Sequence, residues 1–126
     1  MHALRKIHAA LAPDGILVDT QPVSTRPPVA SDGAELGTLD MRDWLATIHA
    51  VDELVAETIG GGLYALKHES RFVVTDTYDN GPECVETASG WRGTRVPPGV
   101  SKRLAATTRP VTVEQEVRLR LLWRAA

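Results

Sequence analysis

Cysteine is nearly absent from this chain of 126 residues, with Cys84 standing alone. A single thiol excludes an intramolecular disulfide framework and a cysteine-based zinc cluster, and it fits a reducing compartment. Aromatics are scarce, at 5% of the chain. Neither sign of charge dominates: 14 Lys and Arg stand against 16 Asp and Glu, a net charge of -2. That balance removes any simple electrostatic case for nucleic acid as a partner. No apolar run is long enough to span a bilayer, and Met1 to Arg5 carry no signal-peptide pattern. The expectation is a soluble, cytoplasmic protein with no membrane partner. G-x-S-x-G, H-E-x-x-H and the nucleotide-binding G-x-G-x-x-G spacings are missing as well. His2, His8, His49 and His68 show no paired metal-ligand spacing, so no metal site is expected.

What is present begins with Leu4 to Pro22, LRKIHAALAPDGILVDTQP. Leu4, Ile7 and Leu11 recur at helical steps, with Ala3 and Ala10 widening the stripe, and this spacing predicts an amphipathic helix. Pro13 ends it, Asp14-Gly15 turns the chain, and Ile16-Leu17-Val18 runs apolar without alternation, as strands covered on both faces do. A helix leading into such a strand implies a layered α/β sheet. Asp19 and Gln21 follow at its carboxyl end, where open α/β sheets meet ligands. The competing reading is that they satisfy the backbone of the next loop.

Further along, Ser31-Asp32-Gly33 between extended residues predicts a short hairpin, Val29-Ala30 with Glu35 to Leu39, as an excursion from the sheet. Asp40 is the expected N-cap of a long helix whose stripe is Trp44, Ile48, Val51, Val55 and Ile59. Gly60-Gly61-Gly62 stops it, with one further turn allowed at Leu63 to Lys67. These glycines are not a phosphate loop, which needs a strand before it and a helix after it. Arg71 to Tyr78 reads as a strand, and Pro82-Glu83 opens a helix with Val85 and Ala88 inward. Asp76 and Asp79 read as solvated strand-end residues, not as an acid-base pair.

Arg92, Arg95, Lys102, Arg103 and Arg109 then form a stretch without acids, which also holds a short helix marked by Val100 and Leu104. Beside Trp91, Arg92 and Arg95 are candidates for an anionic ligand. Alternatively, the patch faces the acids gathered between Asp32 and Glu57. The last element alternates. Val111, Val113, Val117, Leu119, Leu121 and Trp123 share one face, and Glu114, Glu116, Arg118, Arg120 and Arg124 the other, as in a half-buried strand with a charged side.

The run Leu11-Ala12-Pro13-Asp14-Gly15-Ile16-Leu17-Val18-Asp19 resembles a segment of class I S-adenosylmethionine-dependent methyltransferases. There a helix ends in L-x-P-G-G and enters the fifth strand; Asp14 stands where that family usually has glycine. The resemblance implies that Arg71 to Tyr78 and Val111 to Trp123 are the sixth and seventh strands, with the C-terminal strand between the other two. The chain would then be the C-terminal half of such a domain. It lacks the glycine-rich loop and the strand-end acid that hold the cofactor in that family. No cofactor is expected for the isolated chain, and S-adenosylmethionine only if the missing half is supplied.

The expected fold class is therefore α/β, or α+β by content. A single domain over 1–126 would be three-layer-like, with a mixed sheet of about three principal strands plus a short hairpin: a partial Rossmann-like methyltransferase lobe. Three functions follow. The first is a lobe that is not catalytic alone and acts through self-association. The second is a subunit completing a methyltransferase with a separate N-terminal lobe as partner. The third is a small α+β binding module whose pocket includes Trp44, Tyr64 and Trp91.

Overall fold

The computed structural model describes residues 2–10 and 15–125. Its elements follow the expected succession: α1 (His2–Ala10), β1 (Ile16–Pro22), β2 (Pro28–Ser31), β3 (Ala34–Thr38), α2 (Arg42–Gly60), β4 (Tyr64–Tyr78), α3 (Gly81–Ser89), α4 (Pro98–Ala105) and β5 (Val111–Arg124). β5 is the organising strand. β4 pairs with it along its whole length on one side, while β1 and β2 share the other side. β5 therefore lies between β1 and β4, in the expected order. Every ladder is antiparallel, so the sheet is not mixed, although β1 and β4 point the same way on either side of β5.

β5 changes its buried face partway along, and this determines the layering. At its start the odd-numbered residues Val111 and Val113 are fully buried with Val29, Tyr78, Cys84, Ala88, Val100 and Leu104, beneath α3 and α4. Toward its end the even-numbered Leu122 is buried on the opposite face, with Tyr64, Val55 and partly buried Leu4 and Leu17, beneath α1 and α2. Helices thus cover both faces, but at opposite ends of the sheet. One corner stays bare on the odd-numbered face. Ile16 (44% exposed), Val18 (56%), Phe72 (43%) and Trp123 (43%) lie there around half-buried Leu119 and Leu121.

Several expectations change at this level. β1 is not covered on both faces, because nothing among the described residues lies over Ile16 and Val18. The amphipathic stripe of α1 buries Leu4 only partly and leaves Ile7 37% exposed, and Leu11 to Asp14 lie outside the described residues. The hairpin is no excursion. Val29 pairs with Val113 and is fully buried, since its side chain falls on the face that α3 and α4 cover. Asp32 (φ 51°) and Gly33 (φ 77°) form the two-residue turn with both φ positive that suits strand twist.

The N-cap of α2 is Met41, one residue past Asp40, yet the Asp40 carboxylate still accepts from Arg42 N at 3.1 Å. Gly60 remains helical, and it is Gly62 (φ 79°) that takes the left-handed conformation. Leu63 to Lys67 does not prolong α2. From Tyr64 onward these residues already belong to β4, where Tyr64 pairs with Arg124 and a bulge at Lys67 shifts the register by one residue. α3 begins as expected, with Asn80 accepting from Glu83 N at 2.9 Å.

Candidate functional site

The charged face of β5 divides in two. Glu114 and Glu116 are exposed, whereas Arg118 and Arg120, expected on the charged side of a half-buried strand, are buried at 6% and 8% exposure. The cause is Asp52, which sits in the inward stripe of α2 between Ile48 and Val55. Arg118 donates to both Asp52 oxygens, at 3.0 and 2.7 Å. Arg120 donates to Asp19 Oδ2 from Nε at 2.8 Å and from Nη2 at 2.6 Å, and approaches Asp52 Oδ1 at 3.2 Å. Glu69 stands 4.0 Å from Arg118 Nε. The hydrogen bond from Arg118 holds the Asp52 carboxyl below the usual carboxylate range, outweighing a smaller opposing cost of burial.

Asp19 and Gln21, expected at a ligand site, belong to this network instead. Asp19 is only 13% exposed in its side chain, and Gln21 Nε2 donates to Asp19 Oδ1 at 3.1 Å. Tyr64 is also engaged elsewhere. It lies in the core under α1, donates to the Leu4 carbonyl at 2.7 Å and meets His8 edge-on, away from Trp44 and Trp91. Burial pushes its phenol up from the ordinary value. Arg95 pairs with Asp43 at 3.2 Å, and Arg109 with Asp32 at 2.6 Å, so part of the basic stretch does face the acids gathered between Asp32 and Glu57.

The remaining candidates, Trp44, Trp91 and Arg92, come together. They line a pocket of about 430 Å³ with Pro22, Met41, Gly90 and Gln115. Its construction is local and rigid. The Trp44 indole N–H donates to the Pro22 carbonyl at 3.0 Å, tying the start of α2 to the end of β1. Gly93 (φ 71°) lets the loop after α3 press against the Trp44 backbone, where a Cβ would stand 2.7 Å from Trp44 N. Asp40 and Arg95 exchange both backbone hydrogen bonds, at 2.9 and 2.8 Å, closing the same wall.

Sequence reasoning missed Gln115, the polar residue of the pocket. Its signal was available, because a glutamine interrupts the inward row Val111, Val113, Val117 and Leu119. Among the described residues, the lining offers two indoles, one guanidinium and one amide, with no carboxylate, imidazole or thiol. Such a set can bind, but it holds no group for proton transfer or nucleophilic attack. Among the described residues no group of three or more His, Cys, Asp or Glu is placed to hold a metal, and no helix is long and apolar enough to cross a membrane. In comparisons with known proteins, no family model matches the chain and no curated protein matches it at a significant level.

Proposed function

We propose that this chain is a methyltransferase-like C-terminal lobe that does not transfer methyl groups alone and acts by associating through the bare corner of its sheet. The observation that carries the reading is the corner itself. Ile16, Val18, Phe72 and Trp123 are large apolar residues on one face, each at least 43% exposed. Contiguous exposed apolar surface of this kind marks an association site. Among the described residues no strand pairs with the outer edge of β1, which adjoins the corner and offers a row of backbone donors and acceptors. The order β1-β5-β4 has the C-terminal strand between the other two, the place that the resemblance in Leu11 to Asp19 implies for it. On that reading, the helices over this corner would come from an N-terminal methyltransferase lobe.

Self-association is the first form of the proposal, in a reducing cytoplasmic compartment where a buried free thiol is stable. Light scattering on size-exclusion fractions tests it. The wild type should run larger than a monomer, and Val18→Lys with Phe72→Lys should shift it to a monomer with unchanged circular dichroism. A wild type that is monomeric at high concentration defeats self-association. Titration with S-adenosylhomocysteine tests the other half of the proposal: stoichiometric micromolar binding would overturn the non-catalytic lobe and return the chain to the enzymes. The open β1 edge also favours a second reading, a subunit completed by a separate N-terminal lobe. In that case cofactor binding appears only in the mixture of the two chains.

A further inference from the structure

We infer that the pocket between the start of α2 and the loop after α3 binds a flat aromatic carboxylate, a small molecule with one ring system and one negative charge. The inference does not rest on the methyltransferase-like reading. Gln115 carries it. This side chain is 8% exposed, lines the pocket and makes no side-chain hydrogen bond among the described residues. Its amide atoms are not sealed from solvent, so they stay open to a hydrogen bond from a molecule in the pocket.

The rest of the lining defines the chemistry of that ligand. Trp44 and Trp91 offer apolar aromatic walls, which favour a planar ring by stacked or edge-on contact. Trp44 is oriented by its bond to Pro22, so it is preorganised and loses little freedom on binding. Arg92 is exposed at the pocket and, among the described residues, has no ion pair or hydrogen bond, whereas Arg95 and Arg109 nearby in sequence are both paired. One unpaired guanidinium matches one carboxylate, with two parallel N–H donors for its two oxygens. A nucleotide or polyphosphate would need several cations or a backbone cradle, and the lining has one cation. The volume, about 430 Å³, lies in the range of small-molecule sites.

Isothermal titration with three probes tests the proposal: indole-3-acetate, its neutral isostere indole-3-acetamide, and cyclohexylacetate, which keeps the charge and loses the ring. Indole-3-acetate should bind one per chain, about fivefold or more tighter than either comparison compound, as one charge-assisted hydrogen-bonded pair at a partly exposed site provides. Arg92→Gln, a change at an exposed position, should erase the preference for the acid over the amide. Gln115→Leu should weaken the acid about tenfold with the circular dichroism unchanged. No saturable heat with indole-3-acetate at millimolar concentration would overturn the proposal. So would binding untouched by Arg92→Gln, or binding abolished by Phe72→Lys, which would place the probe on the bare sheet corner instead.

Discussion

The substitution Asp52→Asn isolates the least expected feature of this structure, two arginines buried beneath a helix. It keeps the shape of the side chain and removes the one negative charge that both guanidinium groups approach. Breaking a buried ion pair from one side costs roughly 3–5 kcal/mol. Two observations reduce that figure. Asp52 retains 31% side-chain exposure, and Arg120 keeps its contacts with Asp19. Arg118 is left with Glu69 at 4.0 Å. The expected loss is therefore about 2–3 kcal/mol, a fall in Tm of roughly 10 °C for a chain of this size.

Urea denaturation at neutral pH measures this loss, and repeating it in acid checks the cause. The folded-state pKa of Asp52 is depressed. Its contribution is therefore present above the unfolded value of about 4 and is lost as pH falls through the folded value. The gap between wild type and Asp52→Asn should be full at neutral pH and close progressively below about pH 4. A double-mutant cycle with Arg118→Met should show coupling of about 1 kcal/mol or more. A neutral-pH cost below about 0.5 kcal/mol, or a gap that persists unchanged in acid, would refute the assignment of the network as stabilising.

Three other outcomes follow from the packing. Gly81→Ala should cost about 3 kcal/mol or prevent folding, because an added Cβ collides with the Leu104 carbonyl. Thermal melts compared with Gly90→Ala, which meets only Thr87 O at 3.4 Å, separate the clash from a general glycine effect. Cys84, fully buried with its thiol pushed up by desolvation, should resist a disulfide reagent in the native state and react on unfolding in urea. Burial pushes the Tyr78 phenol up to about 12. A raised folded-state value contributes stability that is intact below the ordinary value of 10.0 and is lost as pH rises through about 12. Phenolate absorbance should therefore rise together with loss of structure rather than before it.

The local elements were legible because each is written in a short-range pattern. Asp32-Gly33 specifies its turn, Pro82-Glu83 marks the start of α3, and Val100 with Leu104 marks the buried side of α4, all from spacing and backbone preference. The alternation in β5 predicted a two-faced strand, and its sequence by itself determined that Leu119 and Arg118 point opposite ways. Which face is wet depends on what lies across it. Arg118 and Arg120 are buried because Asp52 and Asp19, from other elements, arrive to neutralise them, and Trp123 stays 43% exposed because its ring is met only by the Lys67 ammonium at 5.7 Å and not by a helix among the described residues.

The first part of β4 was missed because Lys67, His68 and Glu69 look like loop residues. Their strand exists only through its ladder with β5, whose pairing partners lie more than fifty residues away. The candidate pocket divides in the same way. Trp44, Trp91 and Arg92 were visible as scarce or clustered residue types, but the separation of Tyr64 from them is a matter of which helix each meets. Composition and periodicity act along the chain and set what each segment can bury. Only the tertiary structure brings together segments distant in sequence, and so only it decides which charges are paired, which apolar face stays open and which side chains share a cavity.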